Sequence, residues 1–278
     1  MTGLTGANFH FEHAGIRFAA SMDGTGAALV LLHGLGGDRS GAFELADPVP
    51  GWRRLALDQR GHGETEPVGP ESSYKFEVFA ADLIAFLDTV EENSVVVLGV
   101  SMGSAVALRL ALENPDRVLG LVLVRPAWIH EPMTENLIPN VEIARLLRLM
   151  PAAEALAAYE SSEAYARIRA VSSHAAESLS SQFFRPKAVE RAVRLDQMPR
   201  STPYTDPRDL SSVAQPTLVI GCERDPLHPI DFARTWASLI PNASLECVSS
   251  SADGVSQHRR EVRESVARFL LRLGAHAA

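Results

Sequence analysis

The sequence predicts an α/β protein in which a mostly parallel, twisted sheet is flanked by helices. Short unbroken apolar runs recur at residues 28–32, 95–100, 119–124 and 217–220. Runs of this length and composition suit strands buried on both faces. Helical patterns lie between them, and strands alternating with helices build parallel sheets with right-handed crossovers. Residues 9–20 instead alternate around Gly15, which predicts an antiparallel hairpin.

The helices are read from their apolar spacing. Phe79, Leu83, Phe86, Leu87 and Val90 fall on one face of a helix starting at Phe76. Residues 104–113 are rich in Ala and Leu and stop before Pro115, where a helix should end. Residues 261–273 form an amphipathic terminal helix with Val262, Val266, Phe269, Leu270 and Leu273 inward.

The middle of the chain differs. Residues 129–211 hold no convincing buried strand, only helix-forming residues punctuated by Pro132, Pro139, Pro151, Pro186 and Pro199. This predicts a core of residues 1–128 and 212–278 with a helical cap over 129–211. Such a cap sits over one end of the sheet, shapes a pocket and excludes water. Met133, Leu137, Ile138, Leu146, Leu147 and Met150 are expected mostly in the cap's own core, with a minority lining the pocket roof.

A chain of 278 residues makes one large domain or two small ones, and buries enough surface to need no disulfide or metal for stability. Acidic residues number 34 against 26 Lys and Arg, a net charge of −8. No basic run exceeds the pairs Arg53-Arg54 and Arg259-Arg260. This argues against nucleic-acid or anionic-membrane partners, whose affinity rests on clustered cations. Residues 1–20 lack the basic and apolar regions of a secretory leader, and no apolar stretch is long enough for a membrane helix. Cys222 and Cys247 are expected as two reduced thiols buried in neighbouring strands. A cytoplasmic monomer or homodimer acting on a small molecule is the expectation.

The chemistry concentrates at Val95-Val96-Val97-Leu98-Gly99-Val100-Ser101-Met102-Gly103-Ser104. An apolar strand, then Gly-x-Ser-x-Gly, then a helix is the context of a nucleophile elbow, a strained turn that presents the serine. The backbone N–H of Met102 then stands at a helix N-terminus, where it can stabilise an oxyanion. A second strand ends in His33-Gly34-Leu35-Gly36-Gly37, a loop whose backbone can approach a ligand. A third motif is Asp58-Gln59-Arg60-Gly61-His62-Gly63. No His-x-x-x-His or Cys-x-x-Cys pair suggests a metal site, and no Gly-x-Gly-x-x-Gly suggests a dinucleotide, so neither metal nor cofactor is expected.

These three motifs, in this order, resemble the α/β-hydrolase family in its serine-nucleophile branch. The resemblance implies an α/β-hydrolase fold and hydrolysis of an ester or related carbonyl compound. It implies that Leu35 donates the second oxyanion N–H and that His33 and His62 are structural, with His33 and Gly34 beside the substrate pocket. The family's chain order is serine, acid, histidine. Asp225, in the loop after the strand at 217–220, is the expected acid, with Glu223 the local alternative and His228 assigned to loop structure. The sequence departs from the family at the base: no Gly-His follows the last strand, and His258 is the histidine nearest the usual place. Either His258 reaches Ser101, or it caps the last helix and the protein is a non-hydrolytic binder that keeps the fold. Acyl transfer and carbon–carbon bond hydrolysis also fit an elbow serine. Arg125 and Trp128 end a strand on the same sheet edge as Ser101, and either form a hinge into the cap or face the pocket.

Overall fold

The structure is a computed structural model and describes residues 7–277; the first six residues of the leader region considered above lie outside the described residues. Eight strands form one sheet. They are β1 (Ala7–His13), β2 (Ile16–Gly24), β3 (Ala27–Leu32), β4 (Trp52–Leu57), β5 (Val95–Val100), β6 (Val118–Val124), β7 (Thr217–Gly221) and β8 (Ala243–Cys247). Their spatial order is β1-β2-β4-β3-β5-β6-β7-β8. The β1–β2 hairpin and the β2–β4 pair are antiparallel, and every later pair is parallel.

Successive residues of a strand face opposite sides, and here the two sides carry separate cores. Val30 and Leu32 join one cluster with Phe76, Phe86, Leu110 and Trp236. Leu29 and Leu31 join the other with Phe43, Val262 and Phe269. The first is covered by α2 (Phe76–Thr89), α3 (Met102–Glu113) and α9 (Ile230–Leu239), the second by α1 (Arg39–Phe43) and α10 (Val255–Ala277). Fully burying each such side chain contributes about 1.5–3 kcal/mol. Among the described residues no helix is long and apolar enough to cross a membrane.

β4 carries two arginines and so lacks an unbroken apolar run. Arg54 is nevertheless buried, because its Nε donates to Asp23 Oδ1 at 2.9 Å and its Nη1 to the Ala46 carbonyl at 2.7 Å. A buried guanidinium is tolerated only when its donors are satisfied in this way.

Between β6 and β7 lie α4 (Ile138–Leu149), α5 (Ala152–Glu160), α6 (Glu163–Val171), α7 (Ser173–Ser180) and α8 (Ala192–Gln197). Leu146 and Leu147 join Tyr159, Phe183 and Leu195 in a third cluster, while Leu137 packs into the core beneath. Two expectations need correction. Cys222 is buried, but Cys247 is exposed, because it ends β8, which has a neighbour on one side only. The terminal helix begins at Val255 rather than 261, and so takes in His258.

Candidate active site

Ser101 stands between β5 and α3 with φ 54° and ψ −114°, a conformation strained for a residue with a Cβ. Its surroundings hold it there. The Ser101 N–H donates to the Val124 carbonyl at 2.9 Å, and its own carbonyl accepts from Ser104 N and Ser104 Oγ. The two elbow glycines are required by close packing. A Cβ on Gly99 would lie 2.1 Å from the Gly103 carbonyl oxygen, and one on Gly103 would lie 2.3 Å from that of Leu32.

The His33 and His62 rings build the loop opposite. His33 Nε2 lies 3.0 Å from the Gln59 N–H and so accepts from it, which leaves Nδ1–H to donate to the Gly34 carbonyl at 2.8 Å. His62 Nε2 accepts from Gly36 N–H at 3.0 Å, while Nδ1–H donates to the Arg60 carbonyl at 2.8 Å. Each ring therefore works as a neutral donor–acceptor pair. Burial pushes both imidazoles below their ordinary value, that of His62 well below, with Arg194 adding to the effect on His62.

The decisive contact involves His228. Its Nε2 lies 3.0 Å from Ser101 Oγ, and its Nδ1 lies 2.8 Å from Asp225 Oδ2. A tight turn explains how a histidine three residues after the acid folds back onto it. The His228 N–H donates to the Asp225 carbonyl at 3.3 Å, and the Leu227 N–H donates to Asp225 Oδ1 at 3.1 Å. Burial works against ionisation of Asp225, but the charge and hydrogen bond of His228, together with Arg125 and the Leu227 N–H, hold its carboxyl well below the usual range.

His258 lies elsewhere in the hydrogen-bond scheme. Its Nδ1 is 2.7 Å from the Ser249 carbonyl, and its backbone N–H donates to Gly254 at 3.0 Å. Among the described residues it makes no hydrogen bond to Ser101 or Asp225. The physical reason is its position in the first turn of α10, which aims the ring at the preceding loop. Burial, and then Arg125, push it below the ordinary histidine value. The sequence suggests a loop role for His228, but the structure brings it, and not His258, within hydrogen-bond distance of Ser101 and Asp225. The signal for this is the Asp-x-x-His spacing soon after a strand, combined with the absence of Gly-His downstream.

A cavity of about 290 Å3 opens onto Ser101 and His228, with His33, Gly34, Leu35, Arg125, Trp128 and His258 also on its walls. Met102 is the first residue of α3, directly after the serine. Arg125 has φ 49° and places Nη1 3.5 Å from Asp225 Oδ2. Trp128 is buried and donates its indole N–H to the Met198 carbonyl at 3.0 Å, tying the end of β6 to the helical segment. Glu223 pairs with Arg234, away from the serine.

Comparison with known proteins agrees with this architecture. The sequence profile of the alpha/beta hydrolase fold family matches residues 27–254. The chain belongs to the α/β-hydrolase family. Among the relatives of this chain, the non-heme chloroperoxidase CPO-A1 of Kitasatospora aureofaciens is 26% identical over 84% of this chain and 87% of its own. The 2-hydroxymuconate semialdehyde hydrolase of Pseudomonas sp. is 34% identical, over 45% of each chain. The chain spans only a third to a half of the length of the first curated relatives it matches. In fold it is similar to a thermophilic esterase from Thermogutta terrifontis, with a TM-score of 0.71 at 22% identity, covering 97% of this chain and 99% of that one. A hydrolase from Pseudomonas aeruginosa PA01 gives the same TM-score at 23% identity, covering 96% and 99%.

Proposed function

We propose that this protein is a serine hydrolase that cleaves an ester or related carbonyl of a small molecule through an acyl-enzyme. The observation that carries the reading is the unbroken hydrogen-bond chain Ser101–His228–Asp225 at 3.0 and 2.8 Å. His228, not His258, is the base in this reading. Because Nδ1 faces an ionised carboxylate it carries the proton, which leaves the Nε2 lone pair to accept from Ser101.

Ser101 Oγ attacks the carbonyl carbon while its proton passes to His228 Nε2. The carbonyl oxygen takes the negative charge and meets the backbone N–H groups of Leu35 and Met102; one such donor is typically worth about 2.7–4 kcal/mol. Collapse of this intermediate breaks the bond to the leaving group, which takes the proton from His228. A water then donates a proton to His228, attacks the acyl group and releases the acid, returning the proton to Ser101. Asp225 orients the ring and stabilises its charged form throughout. The helical segment between β6 and β7 acts as the cap that keeps bulk water from the cavity.

The test is intact mass after incubation with a fluorophosphonate, on wild type and on the Ser101→Ala, His228→Ala and His258→Ala variants. Rapid single labelling of wild type and His258→Ala, lost in the other two, is the expected result. An unlabelled wild type, or a His228→Ala variant that labels as fast as wild type, overturns the reading.

A further inference from the structure

A second cleft, of about 240 Å3, lies where the loops after β3 and β4 meet the helical segment, and four arginines line it: Arg39, Arg185, Arg191 and Arg194. Its acidic residues are largely committed. Asp58 accepts from Arg39 Nη1, from the Arg39 N–H at 2.7 Å and from the Glu64 N–H at 2.8 Å. Glu64 takes Arg39 Nη2 at 2.6 Å. Asp38 accepts the Gly41 N–H at the start of α1 and stands 3.7 Å from Arg185. Arg39 is therefore neutralised by two carboxylates, and Arg185 meets half of one.

The remaining pair is under-compensated. Arg191 and Arg194 are each only 3% exposed. Arg191 reaches Glu66 at 3.4 Å, a carboxylate that Lys187 already engages. Arg194 Nη1 donates to the neutral Gly61 carbonyl at 2.6 Å, and no carboxylate pairs with it among the described residues. In Arg185, Arg191 and Arg194 alike the Nε is buried without an acceptor. Burial, and then the charge of Arg191, push the Arg194 guanidinium down to about 9. Guanidinium groups are ordinarily buried only against a counter-charge, and planar N–H forks match the oxygens of carboxylate and phosphate.

We propose that this cleft binds a compact oxyanion, a phosphate or carboxylate group, between Arg185, Arg191 and Arg194. Gly36, Gly37, Asp38 and Arg185 also line the cavity at Ser101, so the two sites adjoin. The anion comes either from solution or from the far end of a molecule whose carbonyl lies at Ser101.

Titration calorimetry on the full chain, at constant ionic strength with inorganic phosphate and with succinate, tests the site. The Ser101→Ala variant serves beside wild type, so binding is read independently of catalysis. At least one anion is expected to bind saturably to both, and Arg194→Met and Arg191→Met are expected to weaken it at least tenfold. Methionine keeps the apolar stem, and circular dichroism of each variant checks its fold; Arg185→Met, at the rim, serves if either fails to fold. The source is read from hydrolysis of a neutral ester and of one with a terminal carboxylate. Inhibition by phosphate of the carboxylated ester alone assigns the anion to the substrate, whereas binding without inhibition of either assigns it to solution. Binding of neither anion to wild type, or equal binding by folded Arg191→Met and Arg194→Met, overturns the proposal.

Discussion

His228 is hydrogen-bonded to Asp225, three residues before it, and to Ser101, 127 residues before it. Asp225 and His228 thus leave the sheet on one short turn after β7, and among the described residues the loop after β8 makes no direct hydrogen bond to Ser101. The consequence is a clean division between two histidines. Replacing His228 by Ala should slow fluorophosphonate labelling by roughly 10^2–10^4-fold, the usual worth of a general base. Replacing His258 by Ala should leave labelling near wild type and cost about 1 kcal/mol of stability for the lost bond to Ser249. Labelling time courses and urea melts on the two variants check both halves.

Much of this was legible in the sequence. The apolar runs that became β3, β5, β6 and β7 need burial on both faces, and periodicity reads that directly. The elbow was legible because its strand, Gly-x-Ser-x-Gly turn and helix are contiguous in the chain, although only Gly99 is forced by a contact within that unit and Gly103 is forced by the Leu32 carbonyl of β3. β4 was harder, since Arg54 is buried by distant partners, Asp23 and Ala46, that no local pattern announces. Which histidine meets Ser101 was not legible for a similar reason. Which imidazole reaches Ser101 depends on a turn at 225–228 and on the start of α10 at Val255, both set by tertiary packing. The exposure of Cys247 depends on which strand ends the sheet, which apolar character alone does not decide.

The elbow glycines supply a second prediction. Gly99→Ala and Gly103→Ala each place a Cβ within 2.1–2.3 Å of a backbone oxygen, where no flexible side chain can yield. Each should destabilise the fold on the order of 3 kcal/mol, measured by denaturant melts. A neutral Gly41→Ala, whose Cβ meets nothing closer than 3.9 Å, serves as the control.

A third prediction concerns pH. His33 and His62 have folded-state values depressed by burial, so below about pH 6.5 the unfolded chain binds more protons than the folded one. Stability is then fully present above that value and declines as pH falls toward the folded values. His62→Gln removes one of the two titrating groups. Its melting temperature should start lower at neutral pH, through the weakened hold on Gly36, yet fall less steeply with acid than that of wild type. Parallel slopes for the two proteins would remove His62 as a source of the effect.

Arg125 provides the last prediction. Its Nη1 lies 3.5 Å from Asp225 Oδ2, and its charge helps the His228 contacts hold that carboxyl below its usual range against the effect of burial. A depressed carboxylate contributes stability that is present above its unfolded value of about 3.9 and is lost as pH falls through the folded one. Removing the cation in Arg125→Gln weakens the depression, so Asp225 takes up its proton at higher pH and acid unfolding begins earlier. At about pH 7 Asp225 stays ionised and bonded to His228, so labelling by a neutral probe should fall less than about tenfold. Urea melts through the acid range and labelling rates at neutral pH separate the two roles open to this residue. An unmoved acid midpoint with labelling reduced a hundredfold would mean that Arg125 acts on the bound molecule rather than on Asp225.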